Sequence, residues 1–510
     1  MKKRHVLALV LAFLGRCHAA EAPHSIGPQQ LNDNTRALLN QSLELEDKYW
    51  NDKIGLIQYP SAQPAPSHDE AFMVRESSWY ALGLLLRDAP GDRERAARAL
   101  DAVLREQYNT PNVRWYGTFR RSPEEPSPHY TSKAWKSYDP NWREFIGSTF
   151  AVILMEYPDR IPQRLGERMN AAIDCAVEGE MKDGRLKTSY SNIALMYGFL
   201  LDFAAQREHR ADWQKRADKW TTRVYRLFKQ NDAFSEYNSP TYYGVDLYGL
   251  ALWRSYGSTA KMRAMGSEME IKLWREIAAS YQPSLHNISG PFDRSYGMDM
   301  ESYVSLVGMW MRMELNGSEA PLPSITPYTD HVADIWFAPH MAILGARIPP
   351  DVLPQLKSFA GEHLLYKKIA SHREATSWIG RDVIFGGEAT GKRRDTGATT
   401  QFHPATIQWR TPSGKIGWVR LIQSPELNAV ADERGLTIST TGTVRLLVQA
   451  YDTSARLEAR QWNLPGLKVD VTSDAKDFTF ERNGDAIELV YSGMTALRLN
   501  ISAKQARGAN

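Results

Sequence analysis

Cysteine is scarce in this sequence, with only Cys17 and Cys175 among 510 residues. Cys17 lies in an N-terminal stretch that we expect to be removed, so one cysteine remains and an internal disulfide is excluded. Stability must then come from buried apolar surface. A chain of this length exceeds one ordinary hydrophobic core, which predicts more than one domain.

Long apolar runs are also scarce. The clearest run, residues 6–14, follows three basic residues at positions 2–4 and precedes small residues up to Ala20. This pattern is typical of a secretory signal peptide and is too short for a transmembrane helix. We therefore assign residues 1–20 as a signal peptide and expect a secreted protein, extracellular or periplasmic. A lipoprotein signal at Cys17 is the alternative, which the basic residue before it disfavours.

The chain has no strong excess of either charge, with 62 basic and 59 acidic residues. Loss of four basic residues with the signal peptide leaves a net charge of one negative unit. This balance does not favour a nucleic-acid or membrane partner. The histidines show no metal-ligand spacing, and the chain lacks a Gly-X-Ser-X-Gly elbow, so we expect no metal site, no cofactor and no serine-hydrolase chemistry.

Residues 21–345 show helical periodicity, with the helices arranged in pairs. The stretch "SYSNIALMYGFLLDFAAQ" is apolar nearly all round, and "DWQKRADKWTTRVYRLFKQ", which follows it, has one charged face. The first helix of such a pair should be buried and the second should face solvent. Five or six pairs predict an α/α toroid, with a stacked helical solenoid as the alternative.

The pattern changes after residue 364. Short runs such as "ATIQWR" and "TVRLLVQAY" are rich in β-branched and aromatic residues and are separated by turn-forming residues. They predict an antiparallel β-sandwich over residues 365–510. The proline-containing residues 346–364 are predicted to link this domain to the toroid.

Tyrosines crowd the start of one predicted inner helix. The stretch "DAFSEYNSPTYYGVDLYGL" places Tyr237, Asn238, Tyr242 and Tyr243 beside its first turn. Helix capping explains Asn238 without any chemistry, and any single tyrosine could be part of the core. The inner helices of a toroid run in one direction, however, so their N-termini should meet at one end. We therefore interpret the cluster as part of a site.

A second polar cluster, in "DPNWREFIG", falls at the start of another inner helix. It consists of Asn141, Trp142, Arg143 and Glu144. An indole can stack on a sugar ring, and an amide or guanidinium can bind hydroxyls or a carboxylate. These four residues are predicted to bind substrate. A structural ion pair between Arg143 and Glu144 is the alternative.

Three further stretches contribute candidates. Asn192 lies one turn into an apolar helix, where a buried amide needs a partner, either a neighbouring loop or a ligand. Arg294 and Tyr296 lie on a glycine-containing loop, although Asp293 could simply pair with Arg294. His403 begins a strand and could face the ring or be buried as a structural residue.

Four segments resemble, in the same order, motifs of the chondroitin AC, hyaluronate and xanthan lyase family. They are "NWREFIG", "SYSNIAL", "DAFSEYNSPTYYGVDLYGL" and "GPFDRSYG". The heparinase II/III and alginate lyase families share the two-domain architecture more distantly. The resemblance implies that Asn192 neutralises a uronate carboxylate and that Arg294 is catalytic or binds substrate. This sequence departs from the family at two positions. Tyr237 stands where the family has a histidine, and Asp246 stands where the family has its catalytic tyrosine.

The resemblance implies a polysaccharide lyase that cleaves a uronate polysaccharide by β-elimination. We expect it to be a secreted monomer whose partner is a polysaccharide or oligosaccharide. A nearby arginine would lower the pKa of a tyrosine and make it a usable base. We choose Tyr242 for proton transfer, with Tyr237 or Tyr243 as its partner. The predicted catalytic residues are therefore Asn192, Tyr242, Arg294, Tyr237 and Tyr243, and the predicted substrate-binding residues are Asn141, Trp142, Arg143, Glu144, Asn238, Tyr296 and His403.

Two other functions remain open from the sequence. An inverting glycoside hydrolase on the same toroid would need paired carboxylates, for which Glu144, Glu236, Asp246 and Asp299 are candidates. A secreted carbohydrate-binding protein without catalysis is the second alternative.

Overall fold

A computed structural model describes residues 25–59, 71–391 and 401–504. The predicted signal peptide lies outside the described residues. The α-helices of these ranges are α1 (Asp33–Tyr49), α2 (Val74–Arg87), α3 (Asp92–Arg105), α4 (Trp142–Glu156), α5 (Gln163–Asp183), α6 (Ser191–Arg207), α7 (Ala211–Lys229), α8 (Tyr242–Tyr256), α9 (Ala260–Ser280), α10 (Leu306–Arg312), α11 (Ala338–Leu344) and α12 (Leu353–Lys357). Short 3-10 helices occur at Pro28–Gln30, Pro158–Arg160 and Val332–Phe337.

Four helical hairpins, α2/α3, α4/α5, α6/α7 and α8/α9, form the body of the N-terminal domain. In α6, 14 of 17 residues are buried, whereas in α7 only 5 of 19 are, as the sequence patterns predict. The apolar first helix of a pair therefore faces the inside of the domain, and the charged second helix faces solvent.

The inner helices close into a ring. Helices α2, α4, α6, α8 and α10 contact one another in that order, and α1 and α11 bridge α10 back to α2. This closure confirms the α/α toroid, because a stacked solenoid would leave its two ends apart. The last part of the ring differs from the predicted pairs, since α10 is followed by a 3-10 helix and α11, both largely buried. No helix of the described ranges has the length and apolar character that a bilayer span requires.

The C-terminal domain is antiparallel, as predicted. The strands of the described chain are β1 (Trp50–Asn51), β2 (Leu56–Gln58), β3 (Phe72–Met73), β4 (Tyr281–Gln282), β5 (Asn287–Ile288), β6 (His363–Ala370), β7 (Arg373–Ile379), β8 (Val383–Ala389), β9 (Ala405–Arg410), β10 (Ile416–Gln423), β11 (Leu427–Asp432), β12 (Gly435–Gln449), β13 (Arg456–Glu458), β14 (Gln461–Leu464), β15 (Leu467–Ser473), β16 (Asp477–Asn483) and β17 (Ala486–Ala503). The last twelve, β6 to β17, belong to one sheet.

The predicted sandwich of two sheets is wrong, because five strands of this sheet close on themselves. The order β8-β9-β10-β12-β11 returns to β8 through the pair Asn428 and Ala389. The long strand β12 makes this possible, since its first half pairs with β11 and its second half with β10. A register shift at Gly442, with φ +132°, separates the two halves. Such a break bends a strand and lets a sheet curl.

Contacts between the two domains hold the loops at one end of the toroid. Arg373 on β7 donates to Glu388 on β8 at 2.7 Å and also pairs with Asp293 at 3.1 Å. Its third contact is the carbonyl of Ser235, at 2.9 Å. Phe292 and His403 exchange backbone hydrogen bonds. The β-domain thus fixes two toroid loops, which carry Glu236 and Arg294.

Candidate functional site in the mouth of the toroid

A cavity of about 750 Å³ opens where the inner helices begin. The first turns of α2, α4, α6, α8 and α10 all line it, through Arg75, Trp142, Asn192, Tyr242 and Leu306. This agrees with the expectation that the inner N-termini meet at one end. The volume lies within the range of ordinary small-molecule and sugar sites.

Tyr242 is the first residue of α8 and projects into this cavity. The hydroxyl of Ser239 accepts a hydrogen bond from the Tyr242 backbone N–H at 3.0 Å, which fixes the start of the helix. The Tyr242 hydroxyl accepts from Arg294 Nη2 at 2.6 Å and lies 2.6 Å from the hydroxyl of Tyr296. The Arg294 guanidinium also lies 3.7 Å from the centroid of the Tyr242 ring. The structure therefore brings together three residues from two of the predicted motifs.

Arg294 lowers the pKa of Tyr242 as expected, but the expected low pKa of this tyrosine is wrong, because burial outweighs the arginine. Burial raises the pKa of Tyr242 well above its ordinary value, and Tyr296 adds to the rise, while Arg294 lowers it by less. Burial also raises the pKa of Tyr296. Both phenols are therefore protonated near neutral pH, which makes them proton donors in the unliganded protein.

Arg294 is held by one carboxylate and two neutral groups. It donates to Glu236 Oε1 at 2.9 Å, to Gln401 Oε1 at 3.1 Å and to the Tyr242 hydroxyl. Its side chain is 28% exposed. The guanidinium is thus fixed against Tyr242 at the cavity wall, although Arg294 is not itself among the residues that line the cavity.

Asn192 is linked to the same carboxylate. Its side-chain amide donates to Glu236 Oε2 at 2.6 Å, and its Oδ1 atom has no hydrogen-bond partner within the described chain. Asn141 follows the same pattern, because it donates to the Tyr190 hydroxyl at 2.9 Å and its Oδ1 has no partner in the described ranges. Both residues line the cavity. A buried amide oxygen without a partner is a ready acceptor for a ligand hydroxyl.

Glu236 belongs to a pair of buried carboxylates behind the cavity. The Ser191 hydroxyl lies 3.0 Å from Glu236 Oε2 and 3.2 Å from Asp246 Oδ2. Burial and the charge of Glu236 raise the pKa of Asp246 well above its ordinary value. Asp246, which stands where the resembled family has its catalytic tyrosine, does not line the cavity. It supports the position of Ser191 and, through it, of Glu236.

The opposite side of the cavity is aromatic. Arg75 lies over the rings of Trp79, Trp142 and Phe145, at 4.6, 5.3 and 5.1 Å from their centroids. It also pairs with the carboxylate of Glu76 at 2.5 Å. The Trp142 ring therefore lies where the sequence predicts an aromatic surface for a sugar.

The two residues after Trp142 are placed elsewhere. Arg143 is fully buried and pairs with Glu180 at 3.0 Å and Asp183 at 3.4 Å. The carboxylate of Glu144 is buried beside Arg185, and burial raises its pKa well above the ordinary value. Neither lines the cavity. Consecutive residues of a helix point in different directions, so one stretch supplies both the cavity and the helix packing.

Tyr237 and Tyr243 are also turned away from the cavity. Tyr237 packs against Ile369 and Ala375 of the β-domain. The Tyr243 hydroxyl donates to Glu276 on α9. Burial raises the pKa of both tyrosines well above the ordinary value. Both side chains therefore contact neighbouring structural elements and do not face the cavity.

Asn238 and His403 support the loop that carries Arg294. Asn238 adopts φ +53° and donates to the carbonyls of Ser289 and Pro291 at 2.6 and 2.9 Å. His403 Nε2 lies 3.3 Å from the carbonyl of Ser295, and burial lowers the pKa of His403 to about 3. Both residues lie outside the cavity lining.

A family model described as a domain of unknown function, DUF8769, matches residues 36–346, more than half of the chain. The chain belongs to this family. A second model, described as a domain of unknown function, DUF8770, matches residues 362–493. No curated protein matches the chain by sequence.

Several solved structures are similar in fold to this chain, over both of its domains. A chondroitin AC lyase from Streptomyces coelicolor A3 has a TM-score of 0.46 and 10% sequence identity to this chain. The match covers 92% of this chain and 80% of the lyase chain. Heparinase III has a TM-score of 0.42 and 10% identity, covering 93% and 86%. The endoglucanase CelQ from Clostridium thermocellum has a TM-score of 0.26 and 9% identity, covering 93% of both chains. The first is named for the family that the sequence motifs resemble, and the second for a family expected to share the two-domain architecture more distantly.

Several residues in or beside the cavity of this DUF8769 protein were not predicted. Tyr190 lines the cavity and belongs to the "SYSNIAL" segment, and Gln401, outside the cavity lining, reaches Arg294 from the β-domain. His331 and Asp334 line the cavity from an irregular segment and the 3-10 helix after it. Membership in the motif segment could have identified Tyr190. Only the tertiary fold brings Gln401, His331 and Asp334 to the cavity or its edge, so the sequence alone does not indicate them. No cluster of three or more potential metal ligands occurs within the described ranges.

Proposed function

We propose that this protein is a polysaccharide lyase that cleaves a uronate-containing polysaccharide by β-elimination. One observation carries the proposal: the Tyr242 phenol at the cavity wall contacts both a guanidinium and a second phenol. Its position beside an aromatic surface and two unpartnered amide oxygens suits a sugar ring.

The carboxylate of the uronate would bind at Arg294 and Asn192. In the unliganded protein, one carboxylate, Glu236, bridges these two residues through its two oxygens. This contact supports the proposal, because the two donors lie close enough together to share one carboxylate group. Removal of the C5 proton places negative charge on the uronate carboxylate, and fixed donors stabilise that charge.

Tyr242 would transfer a proton at the scissile bond. In β-elimination a base takes the C5 proton, the electron pair forms the C4=C5 double bond, and the C4–O bond breaks. The departing O4 oxygen then takes a proton. A buried phenol with a raised pKa is protonated and can donate this proton. Tyr296, at 2.6 Å, replaces Tyr237 and Tyr243 as its partner in the proposal.

The hydrolase alternative receives less support. Its four candidate carboxylates, Glu144, Glu236, Asp246 and Asp299, are buried and do not line the cavity. An inverting hydrolase needs two carboxyl groups on opposite sides of the scissile bond with room for a water molecule.

We also propose, from its first twenty residues, that the protein is exported and meets its substrate outside the cytoplasm.

Product analysis tests the reaction type. The protein is incubated with a panel of uronate polysaccharides, and ultraviolet absorbance of the conjugated C4=C5 double bond is followed together with the number of reducing ends. We expect both to rise in step on at least one polymer. New reducing ends without absorbance would show hydrolysis, and binding without either change would show a carbohydrate-binding protein.

A further inference from the structure

His331 lies in the cavity wall, and the proposed reaction does not yet use it. Its ring stacks on the ring of Tyr296, with centroids 4.0 Å apart and an interplanar angle of 19°. Tyr296 in turn contacts the hydroxyl of Tyr242. A single tyrosine therefore separates His331 from Tyr242, and all three residues line the cavity.

A carboxylate lies beside the imidazole, too far away for a direct hydrogen bond. His331 Nδ1 lies 3.7 Å from Oδ2 of Asp334, whose side chain is 19% exposed. The His331 side chain is 37% exposed, so part of the ring is accessible from the cavity. A carboxylate beside Nδ1 favours the tautomer with its proton on Nδ1, which leaves Nε2 as a proton acceptor.

The backbone holds His331 in position. Its φ is +57°, in the left-handed region, which is uncommon for residues other than glycine. The backbone N–H of Asp334 donates to the His331 carbonyl at 2.9 Å, and that of Val304 donates to the Asp330 carbonyl at 3.0 Å. His286 has a similar φ of +50°, so location in the cavity, rather than backbone conformation, distinguishes His331.

The chemistry of elimination needs a proton acceptor as well as a donor. The resembled family has a histidine where this chain has Tyr237, and Tyr237 lies outside the cavity lining. His331 is the only histidine among the described residues that line the cavity. An imidazole is the side chain that most often serves as a general base in enzymes.

We propose that His331 is the catalytic base and that Asp334 is its positioning residue, an inference that rests on the proposed lyase function. His331 Nε2 takes the C5 proton, the C5–H electron pair forms the C4=C5 double bond, and the C4–O bond breaks. O4 takes the proton of the Tyr242 hydroxyl. Afterwards the imidazolium loses its proton to solvent, and the Tyr242 phenolate regains one through Tyr296, so the protein returns to its starting state.

The test compares His331→Gln with His286→Gln. His286 is a matched control, because its Nδ1 also pairs with a carboxylate, Glu301, at 2.8 Å, it has the same backbone conformation, and it lies outside the cavity lining. On the polymer cleaved by the wild type, His331→Gln should lower kcat about 100-fold or more, in the usual range for loss of a general base. His286→Gln should keep the wild-type rate, and both variants should melt near the wild-type temperature.

The pH profile of kcat/KM gives the decisive readout. With a histidine base, the wild-type profile should show an acidic limb, because the protonated imidazole cannot accept the C5 proton. This acidic limb should vanish in His331→Gln and shift to lower pH in Asp334→Asn, since loss of a nearby negative charge lowers a histidine pKa. A folded His331→Gln with the wild-type rate and profile would overturn the inference and leave the lyase function standing. A wild-type protein that forms no unsaturated product would overturn both.

Discussion

Two arginines of the toroid domain differ in burial and in the charge of their partners. Arg143 belongs to a sealed arginine cluster, formed with Glu144, Glu180, Asp183 and Arg185, and its side chain is 0% exposed. Arg294 pairs with one carboxylate at nearly the same distance, 2.9 Å against 3.0 Å, yet it is 28% exposed. The ion-pair distance alone does not distinguish a structural arginine from a candidate site residue.

The partners of the two arginines explain the difference. Arg143 contacts two carboxylates and two backbone carbonyls, so its charge is already balanced by buried protein groups. Arg294 has one carboxylate, and its other partners, Tyr242 and Gln401, are neutral. A ligand carboxylate makes stronger hydrogen bonds to a guanidinium than neutral oxygens do. Arg294 can therefore accept an anionic ligand, whereas Arg143 can only hold the fold.

The largest effect is expected from breaking the sealed arginine cluster. Arg143→Ala would remove one of the two arginines that pair with the buried carboxylate of Glu180, leaving Arg185 alone at 3.1 Å. Removal of one member of a buried ion pair typically costs about 3–5 kcal/mol of stability. We expect urea denaturation to show a loss of this size. A variant as stable as the wild type but inactive would place Arg143 in the site and contradict the comparison.

A change at Arg294 should act mainly on the reaction. Arg294→Gln keeps a hydrogen-bond donor but removes the charge, and Glu236 retains Ser191 and Asn192 as donors. We expect the elimination rate to fall about 100-fold, within the range found when a donor to a developing charge is lost. The stability loss in urea should be clearly smaller than for Arg143→Ala. Equal stability losses in the two variants, with the rate retained, would make Arg294 a structural residue.

The sequence predicts the architecture because the architecture depends on local patterns. Apolar and charged helices alternate along the chain, and this alternation separates inner helices such as α6 from outer helices such as α7. Short alternating strands identify the β-domain in the same way. Closure of five strands was not predictable, since it depends on the bend of β12 at Gly442 and on pairing between distant strands.

The candidate site was only partly predictable, for a geometric reason. Motif residues identify a stretch of chain, but neighbouring side chains within it point in different directions. Tyr242 faces the cavity while Tyr243 contacts an outer helix, and Trp142 and Arg143 separate in the same way. His331 lies in an irregular segment with no periodicity, so only the fold brings it to the cavity.

The adjacent tyrosines Tyr242 and Tyr243 provide the most direct test of the account. The measurement is the initial rate of ultraviolet absorbance from unsaturated product, for Tyr242→Phe and Tyr243→Phe on the same uronate polymer. Each substitution removes one hydroxyl and keeps the ring. We predict a fall of about 100-fold or more for Tyr242→Phe, the usual range for loss of a general acid, and a near-normal rate for Tyr243→Phe. A near-normal rate for Tyr242→Phe would contradict the central claim that the cavity phenol transfers the proton.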